Sequence, residues 1–252
     1  MKIKSKEDIK VMTEGGKKLF RVKEKLKDEI SVGASAYDID RLADKLIKKE
    51  GAKASFKMVP KYSWATCVNV NEGVVHGIPK KSVVFEKGDV VSVDVGVYYK
   101  GFHTDTSFTV GLEADGKIEG FLNAGKAALR AAIEAVRAGN RIYDISGSIQ
   151  EILEENGYEP IRALVGHGIG KNLHEEPQIP CFVSGVREES PRIKAGSTFA
   201  IEVMYTAGSP EIELDDDGWT ISVRDGKISA LFEETVAVTK KGQKVLTEYN
   251  LR

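Results

Sequence analysis

Five residues in the first half of the chain reappear at one fixed spacing in the second. Gly33, Tyr37, Asp38, Ile39 and Gly51 recur 106 positions later as Gly139, Tyr143, Asp144, Ile145 and Gly157. Lys87-Gly88, ahead of a β-rich run reaching Asp94, is echoed 108 positions on by Ala195-Gly196 ahead of a run reaching Glu202. Glycine-stopped helices resemble one another in many α/β proteins, but five identities at a single offset favour a duplicated α+β unit. Two such units packed about a pseudo-twofold axis bring Asp94 and Glu202 to equivalent places beside a shared cleft, where a ligand binds.

Local signals fit this plan. Ser5 with Asp8 three positions on reads as a capping box, and Ile9, Met12, Leu19, Val22, Leu26 and Ile30 follow at helical spacing. Further helices are predicted over residues 36–50, 120–138 and 143–156, each stopped by glycine. Residues 89–98 read as a strand, with Val91, Val93, Val95 and Val97 alternating with Ser92, Asp94 and Gly96 to give one apolar and one polar face. No low-complexity run or Pro/Gly/Ser linker divides the chain, so one domain is predicted over residues 1–252, with internal halves at about 1–114 and 115–252.

Bulk properties exclude several partners. Thirty-seven basic against thirty-eight acidic residues leave a net charge of -1, which provides no field for nucleic acid or an anionic membrane. Apolar runs fall far short of a bilayer span, and the first ten residues lack a signal peptide's apolar stretch. Cys67 and Cys181 are the only cysteines and fit a reducing compartment, although two cysteines can form one bridge. The cytoplasm is the predicted location.

Acidic residues at strand positions carry the chemistry. A hairpin centred between residues 99 and 100 places Asp94 and Asp105 directly opposite each other, where like charges destabilise unless a proton or a cation is shared. The histidines favour the cation. His76, His103, His167 and His174 all sit in Gly-, Asp- or Glu-containing motifs, and Gly166-His167-Gly168-Ile169-Gly170 has so little bulk that its backbone can approach a ligand closely. Glu202 and either Glu233 or Glu234 lie among apolar neighbours and need buried partners. Two aspartates, two glutamates and one histidine suit a pair of divalent ions about 3.5–4 Å apart. HExxH, CxxC, GxSxG and phosphate-loop motifs are all absent.

His76-Gly77-Ile78-Pro79, Gly101-Phe102-His103-Thr104-Asp105-Thr106, Gly166-His167-Gly168-Ile169-Gly170, His174-Glu175-Glu176-Pro177 and Asp217-Gly218-Trp219-Thr220 resemble, in order, the motifs of type I methionine aminopeptidases. The resemblance spans nearly the whole chain and implies the pita-bread fold, an α/β (α+β) architecture of two pseudo-twofold-related halves around a curved, mainly antiparallel sheet. It implies Asp94, Asp105, His167, Glu202 and Glu233 as ligands of two divalent ions (cobalt, manganese, iron or zinc), with Asp105 and Glu233 bridging. It further implies attack on the scissile carbonyl by a bridging water or hydroxide, with Glu202 taking the proton and His174 assisting at the oxyanion. His76 belongs near the first amide, and Tyr62, Cys67 and Trp219 wall the methionine pocket. The implied substrates are N-terminal methionyl peptides and nascent chains, met by a monomer in transient contact with the ribosome.

Three positions depart from the family pattern. Val203 replaces the usual proline, Glu234 the usual histidine, and Leu173 stands where an aromatic residue is common. Glu233 is preferred to Glu234 because Thr235 and Val238-Thr239 align with the family only in that register. His174 and Glu202 are 28 residues apart (202 minus 174), without the insertion of the type II enzymes. An altered first-residue preference, motivated by Leu173 and Val203, and a non-catalytic binding protein on the same fold are the competing readings.

Overall fold

The computed structural model describes residues 1–248. In its first half, helices α1 (Lys6–Glu29) and α2 (Ala36–Lys49) are followed by strands β1 (Lys53–Ala54), β2 (Thr66–Val70), β3 (Gly73–Val75), β4 (Val90–Tyr99) and β5 (Phe102–Gly111). In the second, α3 (Gly116–Ala135) and α4 (Ile142–Glu155) precede β6 (Glu159–Pro160), β7 (Val165–Gly168), β8 (Glu175–Pro180), β9 (Thr198–Thr206), β10 (Ile212–Leu214), β11 (Ile221–Val223), β12 (Ser229–Thr239) and β13 (Gly242–Val245). The main sheet runs β1-β4-β5-β12-β9-β7-β8, with β2 on β4, β6 on β9 and β13 on β12, all antiparallel. β10, β11 and β3 form a small separate sheet.

The repeated residues hold equivalent places. Gly33 and Gly139, ahead of α2 and α4, have φ of 89° and 101°; Gly51 and Gly157, just past those helices, have 68° and 78°; Gly88 and Gly196, ahead of β4 and β9, have 89° and 91°. A side chain is strained at such angles, which accounts for glycine at all six. Asp38 and Asp144 accept hydrogen bonds at the starts of α2 and α4, from the Ser35 hydroxyl and the Arg141 N–H respectively, while Ile39 and Ile145 are buried. Sheet order mirrors about the β5–β12 seam, so β4 and β9 are each the second strand from the centre.

Helices cover one face of the sheet. Val91, Val93, Val95 and Val97 of β4 pack with Leu19, Val22 and Leu26 of α1 and with Ile39, Ala43 and Ile47 of α2. In the second half, Phe121, Ala128 and Ala132 of α3 and Ile145, Ile149 and Leu153 of α4 join Ile201 and Val203 of β9 in the larger core. Side chains alternate along a strand, so the intervening Asp94 and Glu202 face the opposite side, away from this packing.

The capping box forms as predicted: Ser5 Oγ accepts from the Asp8 N–H at 3.1 Å, and the Asp8 carboxylate accepts from the Ser5 N–H at 2.9 Å. Two details differ. α3 begins at Gly116 because Asp115 caps it, its Oδ1 accepting from the N–H groups of Lys117 and Ile118 at 3.0 Å each. The β4–β5 hairpin turns one position later than predicted. Tyr99 pairs with Phe102 around Lys100-Gly101, both with positive φ (46° and 92°), as a two-residue turn prefers, and glycine takes the second turn position. Asp94 consequently lies opposite Ser107 and Asp105 opposite Gly96, so the two aspartates are diagonal neighbours on one face.

Two glycines of α3 separate helix propensity from packing. A Cβ at Gly120 meets nothing within 4 Å, whereas one at Gly125 collides with the ring of the buried Tyr205. Gly120→Ala is expected to raise stability by up to about 1 kcal/mol, and Gly125→Ala to lower it by about 1–3 kcal/mol, read by urea unfolding in chelator.

Candidate metal centre and substrate cavity

Backbone register alone gathers the acidic residues. On the face away from the helix packing Asp94 of β4 pairs with Ser107 of β5, Ser107 with Glu233 of β12, and Glu233 with Glu202 of β9; Asp105 follows two residues before Ser107. His167 of β7 pairs with Ala200, two residues before Glu202, and so shares that face. One ligand atom each of Asp105, His167 and Glu233 lies within 4.8 Å of the others. His167 Nδ1 is 2.8 Å from the Gly168 carbonyl, which can only accept, so Nδ1 carries the hydrogen and the Nε2 lone pair faces the site, 3.4 Å from Glu202 Oε1.

Among the described residues, no protein cation lines the cavity that these groups share. Asp94, Asp105, His167, Glu202 and Glu233 line one cavity of about 150 Å³ with no lysine or arginine in its wall. Asp94 Oδ1 and Glu233 Oε1 are buried without a hydrogen-bond partner. Burial, reinforced by repulsion from neighbouring carboxylates, pushes Asp94, Glu202 and Glu233 well above the usual carboxylate range. Burial raises Asp105 to about 7 despite a hydrogen bond from the Thr106 N–H, and lowers His167 to about 4 with help from His174. Orphaned carboxylate oxygens and a neutral imidazole lone pair are what a divalent-ion site presents, so the residues fit the metal that the sequence led us to expect.

Glu234 faces the other way. Paired with Thr106, it accepts from Lys23 Nζ and Thr247 Oγ1 at 2.5 Å each, and from Thr106 Oγ1 at 3.1 Å, in a buried ion pair on the helix side. Val203 likewise packs into the helix-side core. Of the three departures from the family pattern, only Leu173 lines the cavity.

The rest of the wall is apolar and aromatic. Phe56, Tyr62 and Cys67 form a cluster against which Val59, Trp64, Leu173 and Trp219 pack, with the Tyr62 and Trp219 rings edge-on at 5.0 Å. Burial and the nearby Asp94 carboxylate hold the Cys67 thiol well above its ordinary value, so it acts as an apolar wall. Trp219 also follows an Asp217 turn, in which Asp217 Oδ1 accepts from the Trp219 and Thr220 N–H groups. Phe56 and Val59 were not identified from the sequence; the aromatic run continuing to Tyr62 and Trp64 was the available signal. Cys67 and Cys181 are both free.

Three of the four histidines reach the cavity. His76, with φ of 58°, and His174 line it, and the His174 ring meets that of His167 edge-on at 4.5 Å. His103 is buried elsewhere, its Nδ1 2.9 Å from Ser55 Oγ. The glycines beside His167 serve close packing between protein segments: a Cβ at Gly166 meets the Ala200 carbonyl, one at Gly168 the Glu175 and Glu176 carbonyls, and one at Gly170 the Lys4 side chain. A second cavity of about 430 Å³ adjoins the first and shares Val75, His76, His167, His174 and Glu202 with it.

A sheet-borne carboxylate–histidine cluster between two similar halves defines a metallopeptidase class: residues 10–240 match metallopeptidase family M24, and the chain belongs to that family. Methionine aminopeptidases of Clostridium perfringens and Bacillus subtilis are 37% and 38% identical to it, each over 97% of this chain and 98% of their own. The crystal structure of methionine aminopeptidase from Thermotoga maritima matches with a TM-score of 0.95 at 38% identity, over 99% of this chain and 100% of that one. Prolidase from Pyrococcus furiosus shares the pita-bread fold alone, with a TM-score of 0.78 at 23% identity over 98% of this chain and 66% of that one. No helix among the described residues is long and apolar enough to cross a membrane.

Adjacent glutamates should respond oppositely to neutralisation. In chelator, Glu233→Gln is expected to raise the melting temperature by relieving buried repulsion, and more at pH 8 than at pH 5. Burial and the neighbouring carboxylates hold the Glu233 carboxyl group well above the usual carboxylate range, so its charge, and the repulsion that glutamine relieves, grow as the pH rises. Glu234→Gln should leave Lys23 buried without an anion and cost about 3 kcal/mol, or roughly 6–12 °C. Differential scanning calorimetry of the three proteins reads both signs.

Proposed function

We propose that this chain is a single-domain type I methionine aminopeptidase that removes N-terminal methionine from peptides and nascent proteins in the cytoplasm, as a monomer in transient contact with the ribosome. The reading is carried by one observation: the carboxylates and His167 share one cavity with an apolar, aromatic cluster. Asp94, Asp105, His167, Glu202 and Glu233 would hold two divalent ions. When bound, the ions supply Lewis acidity that polarises the scissile carbonyl and eases proton loss from the attacking water.

The chain's own groups do the rest. Tyr62, Cys67, Trp219, Phe56 and Leu173 accept the flexible thioether side chain, which apolar surface favours without demanding a rigid shape. Glu202 has a carboxylate at the cavity and takes the proton of the attacking water. His174 and His76 line the cavity, where they donate to the carbonyl oxygen and to the first amide. The backbone acceptor on Nδ1 keeps His167 in the tautomer that presents Nε2 to the site.

Leu173 favours a second reading, in which the slot admits other apolar first residues. Incubating purified protein with Met-Ala-Ser and Leu-Ala-Ser, with manganese, iron, cobalt or zinc and with chelator, separates the two. Metal-dependent release of methionine alone is expected. Leucine release at a comparable rate would establish the broader slot, and no turnover with any ion would leave a binding protein. Glu202→Gln is expected to lower kcat by at least about 100-fold while the protein still takes up metal, checked by equilibrium dialysis and elemental analysis.

A further inference from the structure

His174 sits on the connection between β7 and β8, and a residue from the start of the chain ties that connection down. Lys4 precedes the N-cap of α1, and its backbone N–H donates to the Gly196 carbonyl at 2.8 Å. Its side chain turns inward and places Nζ 2.6 Å from Glu175 Oε2, with the two side chains only 5% and 1% exposed. The other oxygen of Glu175 accepts from the Asn172 N–H at 3.3 Å. The lysine stem fills the space above Gly170, where a Cβ would strike its Cε. Gly170 is itself fixed, its N–H donating to the Asn172 carbonyl at 3.0 Å and its carbonyl accepting from the His103 N–H at 2.7 Å.

We infer that Lys4 is a positioning residue for His174, setting where the imidazole meets the substrate; this rests on the role proposed above for His174. Lys4 touches both ends of the Gly170–Glu175 connection, and the ring it steadies, one residue before Glu175, is free on its cavity side. Without Lys4 the connection loses this anchor, and Glu175 keeps only the hydrogen bond from the Asn172 N–H. A connection released in this way lets His174 leave its edge-on contact with His167.

A double-mutant cycle on the full-length, manganese-loaded protein tests this with Met-Ala-Ser. Lys4→Met is expected to lower kcat by at least about tenfold with KM changed by less than about threefold, and to change kcat by less than about twofold in a His174→Ala background. If Lys4→Met fails to fold, Lys4→Met combined with Glu175→Gln removes both charges, and it should keep the kcat loss and its dependence on His174. An equal factor of loss in both backgrounds, or no loss at all, overturns the inference. A wild-type protein that releases no methionine overturns the parent reading as well, an outcome distinct from an active wild type indifferent to Lys4.

Discussion

Unbalanced negative charge on one face of the sheet is the constraint around which the molecule is arranged. Asp94, Asp105, Glu202 and Glu233 share a cavity with no lysine or arginine in its wall, and two of their buried oxygens have no partner. Desolvating even one such group is costly, so the fold carries the cluster only because apolar packing on the opposite face holds the strands in place. The valines of β4 and the Ile201-Val203 positions of β9 supply that packing against the four helices. Alternation along a strand therefore separates stability from chemistry within a single run of residues.

The matching order of elements in the two halves explains how the charges converge. Each half delivers two helices and an antiparallel strand pair, and the halves join along β5 and β12, so Asp105 and Glu233 stand at the seam while Asp94 and Glu202 flank them. The six left-handed glycines at equivalent positions mark where both copies must turn alike to set the same register. A one-residue slip in either strand pair would move a carboxylate to the helix side, where Lys23 is already matched to Glu234.

Much of this was legible in the sequence, for identifiable reasons. The repeat, the alternating valines and the Ser5–Asp8 cap depend on local spacing, and each appears where it was predicted. Asp94 and Asp105 were correctly assigned to facing strands, but in the wrong register, because the hairpin had been centred one residue early and the glycine at the second turn position had not been used to fix it. The bulk-free segment around His167 was read as room for a ligand, yet its glycines make room for β8, β9 and Lys4, contacts between segments that no local pattern encodes. Phe56 and Val59 were missed because a short turn of helix has no periodicity to reveal which way its side chains point.

The same alternation decides which departures from the family pattern can matter. Val203 and Glu234 each follow a cavity-facing glutamate by one residue, and a single step along a strand carries them to the far side of the sheet, one into the core and one onto Lys23. Substitutions there are answered by helix packing and by an ion pair. Leu173 has no intervening strand to shield the cavity from it: it packs against the Phe56–Tyr62–Cys67 cluster and faces the slot directly. Any difference between this chain and its relatives in the side chain accepted must therefore pass through that wall, while the carboxylate face, fixed by register, stays as it is.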